Sequence, residues 1–139
     1  MHQTIREVMT ASPHTLAPSA TIVEAARLMR ERDIGDIIVV DNGMLCGIVT
    51  DRDIVVRALA EGKDPARTRV GDICSRELTT VGPDESIGHA VRLMRDKAIR
   101  RLPVAQDGRM LGVVSLGDLA IDVDRRSALA DISAAPANV

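Results

Sequence analysis

The sequence lacks aromatic residues: none of its 139 residues is Phe, Tyr or Trp. Modules that bind single-stranded nucleic acid stack bases on aromatic side chains, so this absence argues against that class. A basic excess is missing as well, because 18 Lys and Arg stand against 20 Asp and Glu and leave a formal charge of −2. We therefore expect no nucleic-acid partner. Any flat ring that the protein binds has to lie against aliphatic side chains or arginine.

Cysteine and long apolar runs are also scarce. Two cysteines are too few for a disulfide framework, and their spacing is wrong for a zinc knuckle. We expect Cys46 to be buried in a strand and Cys74 to lie exposed near a domain entry. The longest run of Val and Ile, from Ile37 to Val40, is far too short for a membrane span, and the first residues lack the apolar segment of a signal peptide. These absences predict a cytoplasmic protein without a membrane partner.

Motifs that carry enzyme chemistry are absent too. The sequence has no nucleophile elbow, no zinc-protease helix motif and no phosphate-binding P-loop. Its histidines are scattered, and no Cys-x-x-Cys motif accompanies them. The sequence therefore predicts a protein that is not an enzyme, has no catalytic residue, holds no metal and requires no cofactor.

An internal repeat dominates what the sequence does contain. A shift of 65 residues aligns the chain with itself without a gap, so that AARLMR at 25–30 falls on AVRLMR at 90–95. Each copy has the pattern strand, helix, strand, strand, helix, and in the first copy the last helix is expected to run from Thr50 to Leu59. In the second copy the first strand is expected at Thr79 to Val81. We predict a mixed α/β (α+β) fold in which two β-α-β-β-α repeats are related by a pseudo-twofold axis and packed through their sheets. The expected boundaries are 5–62 for the first repeat, 63–69 for a linker, 70–124 for the second repeat and 125–139 for a partly disordered tail.

Each repeat places a hydroxyl and a carboxylate three residues apart at the start of its last helix: Thr50 with Asp53, and Ser115 with Asp118. One interpretation is a capping box, in which each pair satisfies the first amides of the helix. The other is a ligand site, because a helix start with a hydroxyl favours a phosphate and a carboxylate accepts the hydroxyls of a ribose. The sequence leaves both interpretations open.

These motifs resemble a tandem pair of CBS domains, also called a Bateman module. The resemblance covers about residues 5–124 and rests on the Asp/Asn-Gly turns, on Gly-x-Val-[Ser/Thr]-x-x-Asp in both copies, and on the stretches TDRDIV at 50–55 and IRRLPV at 99–104. Since no further domain is attached, the chain is similar to stand-alone bacterial CBS pairs, including those of the hypoxic-response type. The resemblance implies a regulatory module, a homodimer formed through amphipathic helices, and an adenosine-type ligand (AMP, ADP, ATP or S-adenosylmethionine) in the cleft between the repeats. It also leaves room for an unidentified regulated protein.

The resemblance assigns roles to particular residues. Ser115 and Thr50 would contact phosphate, and Asp118 and Asp53 would hold ribose. Basic residues before the hairpin would face the phosphates, and here the second copy has Arg100 and Arg101 where the first has Gly35 and Asp36. The second copy is therefore the better nucleotide candidate, unless the two arginines merely pair with carboxylates on a neighbouring helix. The residues expected around the base and its aliphatic clamp are His14, Thr15, Thr80, Ile99 and Val113.

Two other functions remain open. One alternative is a ligand-free, dimeric interaction protein of a stress response, in which the pockets are vestigial and the dimer surface docks onto another protein; Asp36 favours this alternative for the first copy. The chain would be a redox- or metal-linked stress protein if Cys46, Cys74 and a histidine carried the chemistry.

Overall fold

The computed structural model describes residues 3–11 and 13–119, so the predicted tail at 125–139 lies outside the described residues. The chain divides into two compact units. The first unit comprises Ser12–Thr79 and Ala105–Met110, and the second comprises Met1–Ala11, Thr80–Val104 and Leu111–Val139. The units thus do not follow the sequence repeats, because residues 4–11 belong to the second unit and residues 70–79 belong to the first.

Helices and strands alternate along the chain, which confirms the mixed α+β class. In order they are α1 Ile5–Val8, β1 Thr10–Ala11, β2 Thr15–Leu16, α2 Ile22–Arg32, β3 Asp36–Asp41, β4 Met44–Thr50, α3 Asp51–Asp53, a π-helical segment Ile54–Leu59, α4 Val70–Ile73, α5 Ile87–Lys97, β5 Arg101–Gln106 and β6 Arg109–Ser115; residues 116–119 are helical.

Two predictions about these elements need correction. The helix expected from Thr50 to Leu59 is α-helical only over Asp51–Asp53 and then widens, as the bond from the Ala60 amide to the Val55 carbonyl at 2.9 Å shows. The strand expected at Thr79 to Val81 is reduced to one bridge between Val81 and Val104. The short helices α1 and α4 were not predicted.

The first unit is built on β3 and β4, which pair antiparallel, with β2 parallel to β3 on the other side. Asn42 and Gly43 connect β3 to β4 with φ angles of 51° and 83°. A two-residue hairpin turn needs positive φ at both positions, and Asn-Gly accepts this at little cost. The core of the first unit brings together α2, the hairpin, the π-helical segment and α4. It consists of Ile22, Ala25, Met29, Ile37, Val39, Val49, Ile54, Ala58, Val70, Ile73 and Cys74.

The second unit has its own core, which consists of Ile5, Val81, Ile87, Ala90, Met94, Leu102, Val104, Val114 and Leu119. Ile5 is the first residue of α1, and its backbone amide donates to the Glu85 carbonyl at 3.0 Å. In the first unit the Val70 amide of α4 donates to the Ala20 carbonyl at 2.8 Å, which is the equivalent bond 65 residues away. Each unit is therefore completed by the leading helix of the other repeat.

Candidate functional site

A surface pocket of about 500 Å³ lies in the second unit, lined by Arg100, Arg101, Ser115, Leu116 and Gly117. This volume lies within the range of small-molecule sites. Strands β5 and β6 pair, so the start of β5 at Arg101 lies beside the end of β6 at Ser115. The Leu116 amide closes the arrangement by donating to the Arg100 carbonyl at 2.7 Å.

The structure therefore brings three of the predicted site residues together, both arginines and Ser115. Two arginines and one serine therefore line a single pocket. Leu116 and Gly117 also line it and were not predicted as site residues. The signal for them was present, because they are the two residues between Ser115 and Asp118 in the repeated motif. Leu116 is 44% exposed and gives the pocket an apolar patch.

Ser115 and Asp118 form both bonds of a capping box. The Asp118 amide donates to Ser115 Oγ at 3.1 Å, and the Ser115 amide donates to Asp118 Oδ2 at 3.3 Å. The Ser115 hydroxyl accepts in this box, so its own proton stays available for another acceptor. The capping interpretation is thus geometrically correct for the second unit, and it leaves the hydroxyl able to donate to a ligand.

Thr50 and Asp53 form the same box in the first unit, with distances of 3.0 Å and 2.9 Å. Here the other carboxylate oxygen is engaged as well, because Asp53 Oδ1 lies 3.7 Å from Arg57 Nε. Arg57 also donates to the Ile73 carbonyl at 3.1 Å. In addition, Asp36 is paired with Thr50 in the β3–β4 register and adds negative charge at the level where the second unit has arginine. The first site is therefore less suited to an anion.

The remaining predicted site residues lie elsewhere in their units. His14 and Thr15 are exposed in the first unit, where Thr15 begins β2. In the second unit, Thr80 is exposed, Ile99 packs partly buried against the core, and Val113 is buried in β6 opposite Thr10. None of these five lines the arginine pocket. Their expected role around a base remains a prediction, as does the cleft between the repeats.

The two thiols differ from their expected exposure. Cys74 is buried rather than exposed, and Cys46 is half-buried in β4. Within residues 3–11 and 13–119, no group of three or more His, Cys, Asp and Glu side chains is arranged to hold a metal ion. In the same part of the chain, no helix has the length and apolar character needed to cross a membrane.

Comparison with known proteins matches the CBS domain twice, at residues 5–59 and 70–123. The CBS domain-containing protein YhcV of Bacillus subtilis is 42% identical over 118 residues, which cover 85% of this chain and 84% of YhcV. A crystal structure of Hypoxic Response Protein I with two coordinated zinc ions is 34% identical with a TM-score of 0.78, covering 86% of this chain and 98% of that one. A hexameric CBS-CP12 protein from bloom-forming cyanobacteria is 31% identical with a TM-score of 0.68, covering 96% and 90%.

Proposed function

Because the chain belongs to the CBS-domain family, whose members are regulatory modules rather than enzymes as a rule, we propose that it is a non-enzymatic sensor whose second unit binds an adenosine-type ligand. One observation carries this proposal: Arg100, Arg101 and Ser115 line a single pocket. The regulated protein would be a separate chain, and we propose that this protein is cytoplasmic.

The charge of the pocket selects the class of ligand. Guanidinium groups present fixed forks of donors that match phosphate oxygens, and such charge-assisted bonds are the strong ones. No carboxylate stands among the pocket-lining residues. Asp118 is bonded to the pocket residue Ser115 through the capping box, and we propose that it accepts from ribose hydroxyls. We therefore expect AMP, ADP or ATP to bind more tightly than S-adenosylmethionine, whose sulfonium is a cation.

Loss of one arginine should weaken ligand binding. Arg100→Gln removes a charged donor worth about 1.5–3 kcal/mol, so the Kd for the best adenine nucleotide should rise about 10- to 100-fold. Arg101→Gln should act in the same direction. The measurement is a dye-based thermal shift with AMP, ADP, ATP, S-adenosylmethionine and NADH, followed by calorimetric titration, because the chain has no Trp or Tyr for intrinsic fluorescence.

The matched control is Arg92→Gln, which removes an exposed arginine from α5 of the same unit and causes the same change in net charge. It should leave the Kd within about twofold. An equal loss of affinity in Arg92→Gln would mean that general charge, not the pocket, attracts the nucleotide. The absence of binding by every compound would favour the alternative, a ligand-free interaction protein.

We also propose that the protein is a homodimer in which the first unit contributes an apolar face. A groove of about 360 Å³ runs between α2 and the π-helical segment, and it is lined by Ile22, Val23, Ala26, Arg27, Arg30, Ile54, Leu59 and Pro65. Beside it Val55, Val56 and Leu59 are about half exposed, at 55%, 46% and 52%. A second copy covering this surface would remove the apolar area from water.

A further inference from the structure

A β-bulge in the first unit places Cys46 outside the regular alternation of β4. Val39 pairs with Gly47 and Val40 pairs with Leu45, so Cys46 is the additional residue on its strand. A bulged residue is turned out of strict alternation and aims its side chain differently from a regular strand position. Cys46 accordingly packs against the core of the first unit, which includes Cys74.

Cys74 approaches the same strand from α4. It is the residue at the end of that helix, and the next residue, Ser75, exchanges two backbone hydrogen bonds with Ile48 of β4, at 2.8 Å and 3.0 Å. The Cys74 sulfur lies only 3.0 Å from the point that a Cβ on Gly47 would occupy. Since Gly47 is the direct neighbour of Cys46, the missing side chain lets the Cys74 sulfur reach β4 beside Cys46.

The second unit shows what this position requires structurally. The equivalent residues, 65 positions away, are Leu111 for Cys46 and Met9 for Cys74. The Met9 sulfur lies 3.0 Å from the point that a Cβ on Gly112 would occupy, and both residues pack against the core of their unit. Apolar side chains without a thiol therefore satisfy the packing, so packing alone does not account for two thiols in the first unit.

We propose that Cys46 and Cys74 form a reversible oxidation site, in which peroxide converts the two thiols into an intramolecular disulfide. In the first step the half-buried Cys46 thiolate attacks hydrogen peroxide, the O–O bond breaks, and the sulfur keeps one oxygen as a sulfenic acid. The second oxygen leaves as hydroxide, which takes up a proton and becomes water. In the second step Cys74 attacks the sulfenic sulfur, the S–S bond forms, and a second water leaves. Two thiols are oxidised and one peroxide is reduced at each of the two oxygen atoms, so electrons and atoms balance.

The environment of the two thiols assigns the order of these steps. Burial raises the pKa of the Cys74 thiol, although Arg76 opposes the shift. Cys74 is therefore protonated and shielded at neutral pH, while Cys46 is the thiol that solvent reaches. Zinc needs more ligands than two sulfurs, and the described residues supply no third one at the site. A disulfide needs only the pair that is there.

The test uses the full chain, reduced and then treated with about one equivalent of hydrogen peroxide. Remaining thiols are alkylated, and intact mass and peptide mapping follow. We expect both thiols to disappear together, a mass lower by two hydrogens, a monomer on a non-reducing gel and full recovery with dithiothreitol. The disulfide should also raise the midpoint of thermal unfolding by about 5–10 °C.

The matched variants take their side chains from the second unit. Cys46→Leu and Cys74→Met should fold with the circular dichroism of the unaltered chain, because Leu111 and Met9 fill the same position there. In Cys46→Leu the Cys74 thiol should stay open to alkylation after unfolding. Three results would overturn the proposal: two free thiols after peroxide, disulfides only between molecules, or loss of the Cys74 thiol in Cys46→Leu as fast as in the unaltered chain.

Discussion

The two capping carboxylates, Asp53 and Asp118, allow capping and ligand binding to be measured separately. They occupy the same position in the two repeats and accept the same bond, from the Thr50 amide at 2.9 Å and from the Ser115 amide at 3.3 Å. Only Asp118 stands next to a pocket with two arginines. Replacing each by Ala in turn should therefore give opposite rankings for stability and for affinity.

The stability ranking follows from the bonds that each carboxylate makes. Asp118→Ala removes one capping bond and should lower the free energy of unfolding by about 1 kcal/mol. Asp53→Ala removes the equivalent bond together with the ion pair to Arg57 at 3.7 Å. Since the Arg57 side chain is half exposed, that pair adds no more than about 0.5 kcal/mol. Asp53→Ala should thus be the more destabilising, with a total loss of about 1.5 kcal/mol.

The affinity ranking should be reversed. If Asp118 accepts from ribose hydroxyls, its loss costs about 1.5–3 kcal/mol and raises the Kd of the nucleotide about 10- to 100-fold. Asp53→Ala should leave the Kd within about twofold. Stability is measured by urea unfolding followed by far-UV circular dichroism without ligand, and affinity by calorimetric titration of the folded variants.

Two results would refute this reasoning. If Asp118→Ala loses stability but binds as tightly as the unaltered chain, the carboxylate is a helix cap and nothing more. If Asp53→Ala weakens binding as much as Asp118→Ala, the arginine pocket does not distinguish the two repeats. Asp118→Asn is a useful third variant, because its amide oxygen still accepts from the Ser115 amide while the charge that favours ribose binding is lost.

Three further predictions concern single exposed positions. Ala98 ends α5 in the left-handed region, with φ 54° and ψ 44°, where an L-residue other than Gly costs about 1–2 kcal/mol. Gly also has greater freedom in the unfolded chain, which offsets part of this gain, so Ala98→Gly should raise the free energy of unfolding by about 0.5–1 kcal/mol in urea. A loss of stability would show instead that the Ala98 methyl group contributes packing. Asp33→Gly, at the same position of α2, should gain less because Asp tolerates this conformation better. Leu59→Asp should convert the proposed dimer to monomer in sedimentation velocity without changing circular dichroism, and an unchanged dimer would exclude this face from the interface.

The sequence was sufficient for features that depend on local chemistry. The hairpin turns were predictable because Asn42-Gly43 and Asp107-Gly108 are the residue pairs that accept two positive φ angles, and the structure has both. The arginine pocket was predictable in outline, because the repeat alignment sets Arg100 against Gly35 and places it near Ser115 across a paired hairpin.

The features that the sequence did not predict depend on distant contacts. Helices α1 and α4 have four residues each, too few to show helical periodicity. What fixes them is a backbone bond to a remote loop, from Ile5 to Glu85 and from Val70 to Ala20. Residues 70–79 belong to the first unit, and this explains why Cys74 is buried. Ser75, which follows α4 and Cys74, pairs with Ile48 of β4 in that unit.

The two repeats carry the same residue where the fold leaves no space for a side chain, and they carry different residues at neighbouring positions where it imposes no such limit. Gly47 and Gly112 are both fixed, since an added Cβ would lie 2.5 Å from the Ser75 carbonyl oxygen in one unit and 2.6 Å from that of Thr10 in the other. Beside these glycines the first unit has the thiols of Cys46 and Cys74 where the second unit has Leu111 and Met9, and ahead of the hairpins the first unit has Gly-Asp where the second has Arg-Arg. A tandem repeat can make such changes in one copy alone, whereas identical subunits would carry them in both. The chain therefore has room for a phosphate site in one unit and a thiol site in the other, and a role measured for one repeat does not transfer to its counterpart at these positions.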